Sequence, residues 1–298
     1  MVRNESIDIL KGILIILVII GHILHGSLDD NILRYYIYSF HMPVFFFLSG
    51  YLLNIDKLAD STPKSFFSKY WKRMLFQWTV ALLVYSLLNT YSEFTLQGLL
   101  YQIIHPYYHL WYVPTLFLFI LTLKLFRNIK HDFLFFALLF SLSLLLHSLD
   151  VSIAVGEFRL SFFIFFLFGL FLRNHSIQYK NKMIGWVAPL IFSIIIVSLY
   201  FYGISFKTYL LHFRLPLIIM LCCTFVISFI NNKTFKSKSL SYIGEHSLGI
   251  YLWHVVPIFI INKLIPESYS MIYYILTFGL LVAFVIGCGL LKKETCRQ

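Results

Sequence analysis

Apolar residues in this chain run in long unbroken blocks separated by short polar segments, with no alternation and no single helical stripe. Ten blocks stand out, at 7–26, 33–53, 72–91, 109–126, 132–149, 159–174, 184–203, 212–230, 243–262 and 271–291. A helix needs roughly 17 to 25 apolar residues to cross a bilayer. A barrel strand would instead alternate over about 10 residues. The pattern therefore predicts an all-α polytopic membrane protein, a bundle of about ten transmembrane helices.

The gaps between blocks set the orientation, because Lys and Arg are retained on the cytoplasmic side. Arg3 and Lys11, then Lys57, Lys64, Lys69, Lys72 and Arg73, then Lys124, Arg127 and Lys130 fall on alternate flanks of the blocks. Arg173, Lys180 and Lys182, then Lys233, Lys236 and Lys238, then Lys292, Lys293 and Arg297 continue the series. The opposite side keeps Arg34, Arg159, Lys207, Arg214 and Lys263. This places both the N-terminus and the C-terminus in the cytoplasm, and one missed helix would invert every later flank.

Composition agrees: 59% of the 298 residues are hydrophobic, 12% are charged, and the mean hydropathy is +0.81. The formal charge of +11 is then mainly a topology signal whose counterpart is the lipid bilayer, and no nucleic acid is needed to explain it. No cleavable leader is expected, since few charges precede the first block and no small-residue cleavage pattern follows it. Cys222, Cys223 and Cys288 fall in blocks and Cys296 in the tail, so neither an extracellular disulfide framework nor a metal site is predicted. The longest connections are 54–71 and 92–108, too short for a soluble catalytic domain. Residues 1–298 are therefore read as a single integral-membrane domain whose chemistry belongs to the helices and short loops. No internal repeat is evident, which argues mildly against a transporter built from paired halves.

Ionisable groups at membrane depth are costly and usually face a bundle interior, so they mark candidate chemistry. Lys11 and His22 are eleven residues apart, about 20° beyond three full turns and about 16 Å along the axis, and so share one face of the first helix. Asp8 stands three before Lys11 and can pair with it. His25 is one turn beyond His22, and His41 reaches a similar depth on the second helix. In "HMPVFFFLSG" (41–50), Pro43 frees a backbone carbonyl and can kink the helix, while Ser49 and Gly50 permit close packing. His41 has a plain structural alternative, a hydrogen bond to a neighbouring helix.

"SKYWKRML" puts Lys69, Lys72 and Arg73 at the start of the third block. Three cations there suit a phosphorylated adenylate; they also suit the positive-inside rule alone. "HPYYHLWYVP" (105–114) has the look of an interfacial aromatic belt, with His105 and His109 able to line an outer opening but lacking a third metal ligand. Glu157, Arg159, His212 and Arg214 add polar groups at outer helix ends, where they could orient a hydroxyl-rich acceptor or anchor the helices. In "YIGEHSLGIYLWHVVP" (242–257), Glu245 and His246 lie at the inner entrance and His254 near mid-membrane. Ser247, Tyr251 and His254 form one loose stripe, a polar lining more readily than a lipid contact.

"KGILIILVIIGH", "HMPVFFFLSG", "HLWYVP" and "YIGEHSLGIYLWH", in this order, resemble the membrane-bound acyltransferase 3 family, O-acetyltransferases of bacterial surface polysaccharides. The resemblance runs from about residue 5 to 291. It implies a multi-pass enzyme of the bacterial inner (cytoplasmic) membrane that takes an acyl group, usually acetyl, from cytoplasmic acetyl-CoA or another acyl-CoA. The acceptor is then a hydroxyl of a cell-surface glycan or lipid-linked sugar. The family's basic residue and histidine of the first helix fall on Lys11 and His22. Its arginine pair falls on Lys69 and Lys72, or shifts to Arg73; lysines retain the charge but not the bidentate geometry. This chain resembles the stand-alone form, without an added extracytoplasmic domain.

A hydroxyl is a weak nucleophile at neutral pH, and a histidine within roughly 3 Å can remove its proton. His22 is the expected base, acting directly or through an acyl-histidine, with His41 assisting and Lys11 completing the catalytic set. Lys69, Lys72 and Arg73 are expected to hold the nucleotide, with Glu245, Tyr251 and His254 lining the donor's path. His25, His105, His109, Arg159 and Arg214 are expected on the acceptor side. Ser49, Tyr251 or a backbone N–H near Pro43 are candidates for meeting charge on the carbonyl oxygen. Two rivals differ in class: a transporter or flippase of a lipid-linked glycan, and a scaffold in which the histidines are internal glue.

Overall fold

The computed structural model describes residues 4–89, 95–107, 109–126, 133–148, 159–174, 182–231, 235–264, 272–277 and a few positions from 279 to 287. Arg3, Arg127, Lys130, Glu157, Lys180, Lys233, Lys292, Lys293, Arg297, Cys288 and Cys296 lie outside the described residues, as does part of the tenth block. The described residues form helices and no strand.

In chain order the helices are α1 (Glu5–Ile23), α2 (Ile32–Leu52), α3 (Ile55–Asp60), α4 (Pro63–Tyr70), α5 (Phe76–Asn89), α6 (Leu96–Ile104), α7 (Tyr112–Leu125) and α8 (Phe133–Ser148). They continue as α9 (Phe163–Asn174), α10 (Lys182–Phe201), α11 (Phe206–His212), α12 (Arg214–Leu221), α13 (Ile227–Asn231), α14 (Lys238–Glu245), α15 (Ser247–Trp253) and α16 (Val255–Leu264). Turns of π-helix at Trp71–Leu75 and Cys222–Val226 join α4 to α5 and α12 to α13. Among the described residues, each of the first nine apolar blocks is thus mainly helix.

Two helical runs, Glu5–Ile23 and Arg214–Asn231, are both long and apolar enough to cross a membrane. Tyr112–Leu125, Leu160–Asn174, Gly185–Phe201 and Ser247–Ile261 are apolar but shorter. α2 has the length, at 21 residues, but its tyrosines, Arg34 and His41 dilute its hydropathy. Helix also occurs where connections are predicted. Asn54 accepts from the Lys57 N–H at 2.9 Å, Thr62 from Ser65 at 3.2 Å and Thr95 from Gly98 at 3.0 Å, so each starts a short helix by capping its first turn. Pro63 at the first position of α4 adds to this, its ring angle being preset for a helix start.

The chain divides into two compact units, residues 1–41 with 178–298, and residues 42–177, the boundary falling within α2. In the first, α1 lies backbone to backbone on α14. A methyl group on Gly12 would overlap the Leu240 carbonyl, and one on Gly244 would overlap the Asp8 carbonyl and lie 2.9 Å from the Gly12 nitrogen. Only glycine permits this approach from both sides. Pro43 has no N–H for the Ser39 carbonyl four residues back, and the Tyr209 hydroxyl donates to that oxygen at 2.9 Å. The α1–α2 turn is tied down as well: Arg34 donates to the Gly26 carbonyl, Asn31 to the His25 carbonyl at 3.0 Å, and Asp29 accepts from the Phe206 N–H at 2.5 Å.

α10 turns Trp186, Val187, Leu190, Ile191 and Ile194 outward, an exposed apolar stripe at helical spacing. Water would penalise such a face by about 25 cal/mol for each Å² of it.

In the second unit Phe46 is fully buried, with Tyr112, Phe119 and Phe162 at ring separations of 4.8, 5.2 and 5.2 Å. Gly50 and Gly169 repeat the close approach, each lying against a carbonyl of the opposite helix, Phe166 and Phe47.

Candidate functional site

Gly21 opens the first site. With no side chain of its own, it lets the Tyr38 ring of α2 lie against α1, where an added Cβ would come within 2.8 Å of it. Next to it, half-buried, His22 meets Tyr38 edge-on at 6.2 Å between ring centroids, and Tyr38 meets His41 in the same manner at 5.0 Å. Across from His22 stands His254, fully buried, its ring centroid 5.2 Å away and tilted by 52°. Arg34 places its guanidinium 5.5 Å from the Tyr38 ring. Sequence reasoning assigned His22 and His41 to catalysis and His254 to the donor's path; the fold brings all three into one cluster. Tyr38 and Arg34 were missed, although their spacing from His41, three and seven residues, puts them on its helical face.

The tautomers of two rings follow from their partners. A carbonyl oxygen only accepts, so the His254 Nδ1 contact with Tyr251 O at 2.8 Å and the His41 Nδ1 contact with Ile37 O at 2.6 Å both require a proton on Nδ1. In a neutral ring the lone pair then lies on Nε2, the nitrogen able to accept a proton.

Farther down α1, Lys11 pairs with Asp8 at 3.6 Å, as its spacing predicts. Near the start of α1 a cavity of about 400 Å³ is lined by Glu5, Lys238, Ser241, Tyr242 and Glu245. Of the three residues expected on the donor's path, Glu245 lines this cavity, whereas Tyr251 and His254 are buried. His25 packs on Tyr273 and Tyr274 at 4.8 and 5.8 Å, and Arg214 is buried at the start of α12 while His212 is exposed.

The second unit carries the basic cluster. Lys69 is in the last turn of α4 with its ammonium 5.3 Å from the Tyr70 ring, and Lys72 and Arg73 sit in the π-helical turn, all three exposed. Such turns widen the backbone and are frequent at functional sites. Burial holds the Tyr70 phenol above its ordinary value of 10.0, and the nearby Arg73 cation opposes that rise. Two anchors fix this segment. Phe66 and Tyr70 pack with Phe117 of α7, and the Lys124 ammonium donates to the carbonyls of Leu58 at 3.0 Å, Ala59 at 3.1 Å and Ser61, closing the C-terminal end of α3. In the same unit His105 stacks on Tyr101 at 4.4 Å, His109 is buried against Tyr85 at 5.7 Å, and Arg159 lies 5.2 Å from the Trp111 ring. Ser49 bonds the Phe45 carbonyl at 2.9 Å and the Tyr112 hydroxyl at 3.0 Å. No group of three or more metal-ligating side chains occurs among the described residues.

Comparison with known proteins adds the following. Residues 4–292 match the family model of an acyltransferase domain. Part of the chain is 44% identical over 66 residues to the nodulation protein NolL of Sinorhizobium fredii, covering 20% of this chain and 18% of that protein. A longer part is 31% identical over 144 residues to the nodulation protein NolL of Mesorhizobium japonicum, covering 43% of this chain and 38% of that protein. The chain therefore spans well under two thirds of either relative in these matches. No solved structure matches it.

Proposed function

We propose, from the premise that this chain belongs to the acyltransferase family, that it works within a membrane and moves an acyl group from acyl-CoA to a hydroxyl of a glycan. Acetyl is the acyl group we infer. The observation that carries the reading is the polar cluster at His22, where an imidazole on a long apolar helix stands beside a second, fully buried imidazole. Burying such groups is costly unless they serve one another or a substrate. The exposed apolar stripe of α10 supports the membrane setting, and the alternation of basic flanks supports ten crossings with both termini in the cytoplasm.

On this reading His22 takes the proton of the acceptor hydroxyl as its oxygen attacks the thioester carbonyl. The new C–O bond forms, the C–S bond breaks, and the thiolate of CoA leaves and is protonated. Lys69, Lys72 and Arg73 would bind the phosphates of the donor, as point charges and one planar fork. A base positioned in this way contributes about 10²- to 10⁴-fold.

The test uses the purified chain in vesicles with radiolabelled acetyl-CoA and candidate glycans. Label is expected on the glycan. His22→Ala should lower kcat at least about 100-fold while the protein stays inserted and folded; transfer at the wild-type rate would remove His22 from the base role. Lys72→Ala and Arg73→Ala should raise the KM for acetyl-CoA with kcat nearly unchanged, and the opposite split would argue against phosphate binding. Label that stays on CoA while glycan crosses the vesicle wall would favour a flippase.

A further inference from the structure

We infer that His254 is the positioning residue of the His22 base, accepting the ring N–H of His22 on its own Nε2 and so fixing which His22 nitrogen faces the acceptor hydroxyl. This rests on the reading of His22 as base. A histidine base works only when one nitrogen carries the lone pair toward substrate and the other donates its proton to a partner that holds the ring. In acyl-transfer sites built on a serine nucleophile, a carboxylate is the usual partner. Here the His22 ring lies against Tyr38, edge-on, and against His254.

Three observations make His254 the partner. Its Nδ1 proton is already committed to the Tyr251 carbonyl at 2.8 Å, with the Ile250 carbonyl also within 3.2 Å, so Nε2 is its accepting nitrogen. The ring is anchored: it is fully buried, and those two carbonyls belong to α15, the helix it terminates. Finally, the rings stand 5.2 Å apart between centroids at a tilt of 52°, close enough that a turn of the half-buried His22 ring brings one of its N–H groups onto His254 Nε2. The proton balance is simple. The hydroxyl proton goes to the outward nitrogen of His22, its inward proton remains shared with His254, and the outward proton is later released to the departing thiolate.

The sequence position of His254 has a bearing too. It lies three residues after Tyr251, one helical turn on, so the backbone carbonyl that locks its tautomer comes from its own helix. No second element has to move for the ring to be preset.

The experiment compares His254→Phe, which keeps a flat ring but cannot accept, with His254→Gln, whose amide oxygen can. Both are purified in detergent alongside wild type and His22→Ala. Two readouts are taken: steady-state transfer from acetyl-CoA, and the nitrogen-15 spectrum of histidine-labelled protein, in which the His22 resonances are those lost in His22→Ala. The expected results are a drop in kcat of about 100-fold or more for His254→Phe with KM within about threefold, and recovery of at least about tenfold of that loss in His254→Gln. In the spectrum, His22 should show a single tautomer in wild type and a mixture in His254→Phe. Wild-type kcat in His254→Phe, equal losses in the two variants, or a single unchanged His22 tautomer in His254→Phe would each overturn the inference. A poorly folded His254→Phe leaves the wild-type spectrum as arbiter: a mixed tautomer there refutes the pairing. Transfer that survives in His22→Ala is the separate result that removes the base reading itself.

Discussion

The Ser39 carbonyl shows how one residue's chemistry calls for another's. Pro43 withholds the N–H that would have bonded it, and the hydroxyl of Tyr209, 170 positions away in the chain, takes that place. An unsatisfied carbonyl inside an apolar bundle is destabilising, so Tyr209→Phe should lower stability by about 0.5–2 kcal/mol. Pro43→Ala returns an N–H to the helix, and the double variant should then lose much less than Tyr209→Phe alone. Thermal unfolding of the four proteins in one detergent measures this coupling, and additive losses would show that Tyr209 does not serve that carbonyl. The freed carbonyl is legible from "HMPVFFFLSG"; the identity of its donor is not, since nothing local links position 209 to position 39. Tyr38 is a similar case. Its place on the face of His41 is readable, but its contact with His22 depends on Gly21 letting two helices close.

Among the elements, α1 and α14 are held at a distance set by backbone atoms. A side chain at Gly244 cannot be absorbed by a rotamer change, because what it meets is the Asp8 carbonyl of the facing helix. Gly244→Ala should therefore destabilise by roughly 1–3 kcal/mol and shift α1, lowering transfer without touching any reacting group. Gly249→Ala is the control, having open space around it, and should be nearly neutral on both measures. Equal effects at the two positions would mean that α1 and α14 are not packed through glycine. Helix positions were largely legible as apolar blocks. Short α3, α4 and α6 were not, because their signal lies in caps rather than in hydrophobicity. Lys124 shows the limit of reading charge as topology. It counts as a cytoplasmic flank in the sequence, yet its ammonium is spent on three carbonyls at the end of α3.

For the molecule as a whole, the basic flanks predict that a fluorescent protein fused after Gln298 lights up in the cytoplasm, and that a reporter active only outside the cytoplasm works when inserted within 92–108. The reverse pattern would invert the topology and move His22 to the other leaflet. What the sequence could not disclose is that residues 1–41 join 178–298 in one compact unit while 42–177 form the other. Such a partition depends on pairings between remote segments, which local patterns do not encode. It also governs how the chain is made. The glycine contact joins positions 12 and 244, so during synthesis α1 waits for 232 further residues, about 10–50 seconds at ribosomal speeds, before α14 exists to close on it. The nascent protein must spend that interval with the α14-facing side of its first helix lodged against lipid, the insertion machinery or a chaperone, which makes the unit containing His22 the last to be completed.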